Sequence, residues 1–378
     1  MWNIQLFKLN FDSKEIAAAS DVVESGWLSM GQKTKDFEFE FGNFLGDETH
    51  CTAVSNGTAA LHMALLALGV GPNDEVVIPS LTFVANINVV NLVGATPKLA
   101  DSYSLTNWNV SLKSVKSKIS DKTKAVIIVH YAGYPCHEID EISDFCRKKG
   151  IGLIEDVAHA PGASVNGKKC GTFGDVGCFS FFSNKNLSIG EGGMVSTQSK
   201  NLAQKLGFLR SHGMTSLTLD RHKGRAITYD VDQPGLNYRM DEIRAAIGSV
   251  QLEKLPAGNA RRKDLTNRYR SNLAQSLVKI PFETQSESLN SVYHILPVLL
   301  PKGTDRVEVI GLLKQAGIQS SIHYPPFWDF SAYRGQFLPS ETPITAEICR
   351  RQLTLPLFPT MTEQEVDKVC NALLEALA

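Results

Sequence analysis

Lys185 has unusual neighbours for a lysine. It follows the aromatic run CFSFF and precedes the glycine-rich turn GEGG. Lysines generally lie on solvated faces, because the ammonium group is strongly hydrated. A lysine among apolar residues loses part of its preference for the charged form, and imine formation with an aldehyde requires a neutral amine. For a single lysine, a plain position at the end of a strand remains the commoner explanation.

Asp156 ends the apolar run IGLIED, so its carboxylate should emerge from a buried strand. Such a carboxylate is costly unless a cation or several hydrogen bonds compensate it. A protonated pyridine nitrogen is one suitable cation, and protonation of that nitrogen makes pyridoxal phosphate an electron sink. A structural ion pair with an arginine is the commoner explanation for an isolated acid.

The segment SNGT and a nearby phenylalanine complete the set of candidate residues. A helix that begins at Gly57 and Thr58 offers free N–H groups and the positive end of its dipole to a phosphate. An ordinary N-cap at Ser55 or Asn56 explains the same pattern. Phe83 could stack on a cofactor ring or belong to the core. In an open α/β sheet, ligands collect at the carboxyl ends of strands, where these residues are predicted to lie.

The elements that would position these residues alternate along the chain. From about residue 50, short β-rich runs such as DEVVIPS and KAVIIVHYAG alternate with helical runs such as GTAALHMALLALGV and EIDEISDFCRKKG. This βαβα order predicts an α/β fold with a mostly parallel sheet covered by helices on both faces.

The C-terminal part of the chain has a different pattern. A long helix is predicted to begin near Asp241 and to continue after Pro256. Beyond about residue 280, SVYHILPVLL predicts a strand, and MTEQEVDKVCNALLEALA predicts a terminal amphipathic helix. We therefore expect a large domain over residues 1–255, with an N-terminal arm. The linking helix and a smaller α+β domain should occupy residues 256–378.

Composition narrows the class of protein. A net charge of -1 over 378 residues gives no basic surplus for nucleic acid. The longest apolar stretch contains Pro79 and several asparagines, which suits a buried strand and helix better than a membrane span, and the N-terminus has no signal-peptide pattern. The seven cysteines form no C-x-x-C pair, so we expect small buried thiols in a reducing cytosol, and no metal site. These features predict a cytoplasmic protein without nucleic-acid or membrane partners.

Several motifs occur together in one order along nearly the whole chain. They are SNGTAALHMAL, IPSLTFVANINVV, VHYAGYPC, IEDVAHA, FSFFSNKNLSIGEGGMVST, LRSHGMT, GLNYRMDEIRAAIG, SSIHYPP and LPLFPTMTEQEV. This ordered set resembles the pyridoxal phosphate-dependent sugar aminotransferases of the DegT/StrS type. The resemblance implies fold type I of the aspartate aminotransferase superfamily, with a mostly parallel seven-stranded sheet in the large domain.

The resemblance also assigns roles in holding pyridoxal phosphate. Lys185 matches the lysine that binds the cofactor aldehyde as a Schiff base, and Asp156 matches the partner of the pyridine nitrogen. Phe83 would stack on the ring, and His159 would lie near its phenolic oxygen. The phosphate would be held by Gly57, Thr58 and Ser180.

Further residues are assigned to the partner subunit and the substrate. Asn237, in GLNYRM, would reach the phosphate of the neighbouring subunit's cofactor, which implies a homodimer with shared active sites. His323 and Tyr324 match the substrate-side region. Relatives often place another histidine after the prolines of HYPP, where this chain has Phe327 and Trp328, so the pocket should differ there.

The resemblance implies a transaminase that works by a ping-pong cycle with Lys185 as acid and base. L-Glutamate would donate the amino group, and a nucleotide-linked 4-keto-6-deoxyhexose is the expected acceptor, because SNKNLSIGEGG is closer to the C4-acting branch. A C3-keto sugar or a keto-cyclitol remains an alternative acceptor. A non-catalytic protein that binds pyridoxal phosphate or another ligand for regulation is an alternative from a different class.

Overall fold

A central sheet organises the protein. The computed structural model describes residues 2–46, 48–215, 224, 228–283 and 286–378, which include every predicted site residue. In chain order, the strands of this part are β1 (His50–Val54), β2 (Glu75–Pro79), β3 (Thr96–Ala100), β4 (Thr123–Val129), β5 (Gly152–Asp156), β6 (Ser164–Val165), β7 (Lys168–Lys169), β8 (Val176–Ser180), β9 (Gly193–Thr197), β10 (Leu289–Asn290), β11 (Leu296–Leu299) and β12 (Gln352–Leu355).

The main sheet has seven strands in the order β1-β9-β8-β5-β4-β2-β3. Strand β9 runs antiparallel to both of its neighbours, and the other pairs are parallel. The predicted α/β fold with a mostly parallel seven-stranded sheet is therefore confirmed. Strand β4 is continuously apolar from Ala125 to Val129, as is typical of a parallel strand with helices on both faces of its sheet.

Helices surround this sheet and extend beyond it. Among the described residues they are α1 (Ser13–Ser25), α2 (Gln32–Leu45), α3 (Gly57–Ala67), α4 (Ala85–Leu92), α5 (Leu112–Ser117), α6 (Ile139–Lys149), α7 (Lys200–Arg210), α8 (Glu242–Leu273), α9 (Arg306–Gln315), α10 (Pro343–Arg351) and α11 (Glu363–Glu375). Helix α3 begins where the sequence indicates, because the Asn56 side chain accepts a hydrogen bond from Ala59 N at 2.8 Å. Helix α6 ends at Gly150, whose φ of 67° suits glycine.

Helix α8 joins the main sheet to the C-terminal part of the chain. It contributes Ala245 and Leu252 to a core with β8 and β9 residues, and Leu265 and Tyr269 to a core with β11 and β12 residues. The helix continues through Pro256 without interruption. The predicted boundary between residues 255 and 256 thus falls inside one helix, and it stays a prediction.

The segment SVYHILPVLL is only partly a strand. Strand β11 begins at Leu296 and pairs with β12, whereas Tyr293 has a φ of 51°. The N–H groups of Val292 and His294 instead donate to the carbonyls of Gly133 and Ala132, at 2.8 and 2.9 Å. The expectation of one continuous strand was wrong, because these backbone contacts hold residues 292–294 against the loop after β4.

The seven cysteines form no disulfide bond. All seven cysteines are free thiols, and all except the partly buried Cys51 are buried, which confirms their prediction as small buried residues. Within the described ranges, no helix combines the length and the apolar character needed to cross a membrane.

Candidate active site

A cavity of about 810 Å³ lies at the carboxyl ends of the parallel strands. Val129, Asp156 and Ser180, which end or nearly end β4, β5 and β8, all line it. The other predicted site residues on its wall are Gly57, Thr58, Phe83, His159, Lys185, His323 and Tyr324. The structure therefore brings together residues from distant parts of the chain in the position expected for a ligand site of an α/β sheet.

Asp156 is a buried carboxylate without a cationic hydrogen-bond partner among the described residues. It is 6% exposed, and it accepts hydrogen bonds from Asn86 Nδ2 at 2.8 Å and Ala158 N at 3.0 Å. Burial raises the pKa of Asp156, although these hydrogen bonds and the charge of Lys185 act in the opposite direction. The structural ion pair considered from the sequence does not form within the described residues. The carboxylate is thus arranged for a ligand that brings positive charge.

The adjacent Glu155 has a different environment. Its carboxylate accepts hydrogen bonds from the N–H groups of Gly171, Phe173 and Gly174. His130 Nδ1 accepts from Cys136 N, so His130 Nε2–H donates to Glu155 at 2.9 Å. Because its hydrogen-bonding capacity is used within the protein, Glu155 has a structural role, unlike Asp156.

Glu155→Gln is expected to lower the free energy of unfolding by about 3 kcal/mol, because an amide group would face buried N–H donors. Urea denaturation of the apo protein would measure this loss. Activity per folded molecule should stay within about twofold of wild type. Unchanged stability together with a large loss of activity would contradict the assignment.

Lys185 lines the same cavity as Asp156. Its backbone N–H donates to Phe182 O at 2.8 Å, so the residue follows a tight turn after β8. Burial lowers the pKa of the Lys185 amine from 10.5 to about 8, and the negative charge of Asp156 opposes this shift only in part. The amine is therefore far more often neutral near physiological pH than an exposed lysine is.

The rate at which the apo protein attaches covalently to pyridoxal phosphate should rise with pH and level off above about 8. The lowered pKa makes the neutral nucleophilic amine predominant above that value. Stopped-flow absorbance across a pH series would measure the midpoint. A midpoint near 10.5, the ordinary value of lysine, would show that burial does not activate the amine.

The first turn of α3 forms another part of the cavity wall. The first N–H groups of a helix have no partner inside it, and the dipole adds positive potential there. A Cβ added to Gly57 would lie 2.8 Å from Ser180 Cβ and 3.2 Å from its hydroxyl oxygen, so this close approach requires glycine. Together with Thr58, these residues form a cradle whose chemistry suits a phosphate.

His159 and Tyr324 form a directed hydrogen-bond chain at the side of the cavity. Ala132 N donates to His159 Nδ1 at 3.2 Å, so the proton of the neutral ring lies on Nε2. Nε2–H then donates to the Tyr324 hydroxyl oxygen at 2.8 Å. Burial, with help from the Lys185 charge, holds the pKa of His159 well below its usual value. The Tyr324 O–H is left to donate to another acceptor.

Two further predicted residues complete this wall. Phe83 is 52% exposed, and its ring centroid lies 5.4 Å from that of Tyr324. An exposed ring on a cavity wall can stack on a planar ligand, so Phe83 is not a core residue. His323 is buried, its Nδ1 lies 2.9 Å from Thr354 Oγ1, and burial lowers its pKa to about 4.

Asn237 is the one predicted residue that does not line this cavity. It is exposed and forms an isolated antiparallel bridge with Ser211. The resemblance assigns it to the site of a partner subunit, so a position outside its own cavity agrees with that expectation. Its role stays a prediction.

Sequence reasoning missed other residues of the site. Asn86 lies on α4, is fully buried and holds Asp156, yet its Oδ1 has no hydrogen-bond partner among the described residues. Helix α4 carries three asparagines, and a buried amide needs partners, but the sequence does not show that Asn86 is the one that is buried. Glu191, Tyr238 and Arg244 also line the cavity, and no local pattern marks them.

The residues present match the chemical groups of pyridoxal phosphate. The phosphate cradle, the aromatic wall and the uncompensated carboxylate of Asp156 would meet a phosphate, a planar ring and a protonated ring nitrogen. Lys185, with its lowered pKa, would meet the aldehyde. The volume of the cavity is in the range of sites that bury small organic ligands.

Comparison with known proteins identifies the family. A sequence model of the DegT/DnrJ/EryC1/StrS aminotransferase family matches residues 10–374. The aminotransferase TlmJ from Streptoalloteichus hindustanus is 32% identical, with a TM-score of 0.90 over 100% of this chain and 99% of that chain. DesV of S. venezuelae, solved in complex with a ketimine intermediate, is 30% identical, with a TM-score of 0.89 over 99% and 98%. Spr1654 from Streptococcus pneumoniae, solved in its PLP-form, is 28% identical, with a TM-score of 0.88 over 98% of each chain.

These similarities confirm the resemblance drawn from the sequence motifs, and they extend over nearly the whole chain. Aminotransferases of this family use pyridoxal phosphate, so the predicted cofactor, the predicted fold type and the predicted class of enzyme are confirmed as well. The chain is a pyridoxal phosphate-dependent transaminase and belongs to the DegT/DnrJ/EryC1/StrS aminotransferase family.

Proposed function

We propose that this transaminase moves the amino group of L-glutamate to a keto sugar, with a nucleotide-linked 4-keto-6-deoxyhexose as the acceptor. The observation that carries the proposal is the combination, in one cavity, of an amine with a pKa of about 8 and a buried carboxylate without a cationic hydrogen-bond partner. A sugar acceptor is supported by the similarity to Spr1654, which is itself proposed to be a sugar aminotransferase. The motif SNKNLSIGEGG supports reaction at C4.

The residues of the cavity divide into those that would bind the cofactor and those that would face the substrate. When bound, pyridoxal phosphate supplies an aldehyde and an electron-withdrawing ring. Asp156 would keep the ring nitrogen protonated, Phe83 would stack on the ring, and His159 would lie beside the phenolic oxygen. Gly57, Thr58 and Ser180 would hold the phosphate, and His323 and Tyr324 would face the substrate.

Lys185 would act first as the covalent anchor and then as a general acid and base. In its neutral form, the amine accepts a proton from Cα of the amino donor, and the resulting ammonium returns the proton at the neighbouring reacting carbon. A pKa of about 8 suits both directions near neutral pH. The same group serves both halves of the ping-pong cycle.

The proposal includes a cytoplasmic homodimer with shared sites. Asn237 is exposed and would reach the cofactor phosphate of the partner subunit. The N-terminal segment also exposes Phe7, Leu9 and Phe11, an apolar surface that a second subunit would cover. The free cysteines are consistent with a reducing compartment.

The acceptor can be identified by following the cofactor's absorbance. The protein is loaded with pyridoxamine phosphate and mixed in turn with UDP-, GDP- and dTDP-linked keto sugars and with keto-inositols. We expect a 4-keto-6-deoxyhexose nucleotide to restore the aldehyde form. Restoration only by a C3-keto sugar or by a keto-inositol would replace the proposed acceptor with that class.

A second measurement tests for catalysis itself. Glutamate added to the aldehyde form should bleach its absorbance, with 2-oxoglutarate released in equal amount. If glutamate leaves the spectrum unchanged while ligands still bind, the non-catalytic alternative is correct and the proposed reaction is wrong.

A further inference from the structure

Asn186, the residue directly after Lys185, has a side-chain amide with a partner on every side. Its Nδ2 donates to Asn259 Oδ1 at 2.8 Å and to Val292 O at 2.9 Å. Its Oδ1 lies 2.9 Å from His294 Nδ1. Because the Val292 carbonyl only accepts, the nitrogen of the amide must face it, and the orientation of the side chain is fixed.

The partners of Asn186 are themselves fixed to the frame of the site. Asn259, on α8, donates to Pro161 O at 3.2 Å. The backbone N–H groups of Val292 and His294 donate to Gly133 and Ala132. Ala132 N also donates to His159 Nδ1, and Pro161 follows His159 by two residues. Asn186 thus links the Lys185 turn to the segments that hold His159.

The His294 ring extends this connection to His159. With Asn186 Oδ1 as its acceptor, His294 Nδ1 carries the proton, and burial holds the pKa of His294 well below its usual value. The rings of His294 and His159 have centroids 4.5 Å apart. His159 in turn donates to Tyr324. The Asn186 amide therefore contacts His294, which packs against His159 of the cavity wall.

We propose that Asn186 is a positioning residue that holds the Lys185 turn so that the amine stays directed into the cavity. This inference rests on the proposed role of Lys185. Asn186 itself does not line the main cavity, so it acts through the lysine and not through the substrate. Misplacement of a reacting group by about 1 Å can reduce a rate by about 100-fold, which makes a fixed backbone valuable at this position.

Asn186→Ala should slow the covalent attachment of pyridoxal phosphate to the apo protein by about 10-fold or more. It should also reduce kcat of the glutamate half-reaction by about 10- to 100-fold, with KM changed by less than about threefold. Affinity for pyridoxamine phosphate, which forms no bond with the lysine, should stay within about threefold of wild type.

Two further variants separate positioning from general damage. Asn259→Ala removes one acceptor of Asn186 Nδ2 but leaves the contacts with Val292 and His294, so it should slow cofactor attachment less than Asn186→Ala does. Asn272→Ala is the matched control, because Asn272 lies on the same helix and its exposed side chain donates to Asp367. It should behave as wild type.

The possible results distinguish this inference from the proposed function. Borohydride reduction and peptide mapping of the wild type first test whether the cofactor is bound to Lys185, and failure there would overturn both proposals. If Lys185 is labelled but Asn186→Ala attaches the cofactor and turns over at wild-type rates, the positioning role is wrong and the function stands. A lower Tm with unchanged rates would show a purely structural residue and would also overturn the inference.

Discussion

Replacing Lys185 with alanine should reduce amino transfer by at least about 1,000-fold, because one amine provides both the covalent anchor and the proton transfer. Lys185→Arg should be equally inactive, since a guanidinium keeps its charge and does not form the imine. Both variants are expected to fold, because the lysine side chain lines a cavity and does not join elements of the core. Single-turnover absorbance with glutamate would measure the loss, and circular dichroism would check the fold.

The control for this prediction is Lys113→Ala, a change of an exposed lysine on α5. It should leave turnover at the wild-type level. Rescue of Lys185→Ala by an added small primary amine would support the assignment of the missing group as a general base. Turnover of the alanine variant within about 10-fold of wild type would instead show that another residue moves the proton.

The sequence was sufficient for the parts of the structure that local chemistry determines. The N-cap at Asn56, the αL glycine after α6 and the apolar strand before Asp156 each depend on residues close together in the chain. The positions of Asp156 and Lys185 follow from such elements, because the ends of parallel strands meet at one edge of the sheet. Their detailed roles came from resemblance to a family and not from the pattern alone.

Contacts between distant segments were not predictable in the same way. Asn86 is 70 positions from Asp156, and the two side chains meet only through the packing of the folded chain. Asn186, Asn259 and His294 meet across three separate segments. Periodicity gives the face of an element on which a residue lies, but it does not give the register in which two elements pack.

Pro256 and the segment before β11 show how tertiary contacts override local signals. Proline removes one helical hydrogen bond, yet α8 continues because buried residues on both sides of Pro256 pack against separate cores. In SVYHILPVLL, the β-rich composition is correct for Leu296–Leu299 only. The preceding residues bind the loop at Ala132 and Gly133 and so bring His294 to Asn186.

Asp156→Asn should impair function more than any other change except the loss of Lys185, but it should not lower the stability of the apo protein. Loss of the charge beside a protonated ring nitrogen is expected to weaken cofactor binding by about 3 kcal/mol or more, roughly 100-fold. The rate of amino transfer at saturating cofactor should also fall by about 100-fold or more, because a neutral ring is a poorer electron sink. Equilibrium titration and the half-reaction with glutamate would measure these two losses separately.

The apo form of Asp156→Asn should be as stable as wild type or more stable. The raised pKa of Asp156 means that ionisation disfavours the folded apo protein, so its contribution to stability declines as pH rises from about 4 through the raised pKa. Asparagine removes that penalty. The new side-chain N–H at position 156 needs an acceptor where Asn86 Nδ2 lies in the wild type. Rotation of the Asn86 amide group would present its Oδ1 there, and this oxygen has no partner among the described residues of the wild type. The increase in Tm on adding pyridoxal phosphate should therefore become smaller, while the Tm of the apo form does not fall.

Asp175 and Glu155 provide the controls for this pattern, in which cofactor binding weakens while the apo protein stays stable. Asp175 accepts a hydrogen bond from the N–H of Leu153, near the amino end of β5, whereas the cavity lies at the carboxyl end of that strand. Asp175→Asn should therefore leave cofactor affinity unchanged. Glu155→Gln should destabilise the fold without the loss in cofactor binding, because its hydrogen bonds are all internal. If Asp156→Asn bound the cofactor with wild-type affinity, or if its apo form lost stability as Glu155→Gln does, the carboxylate would be a structural group and the partner of the ring nitrogen would have to be another residue.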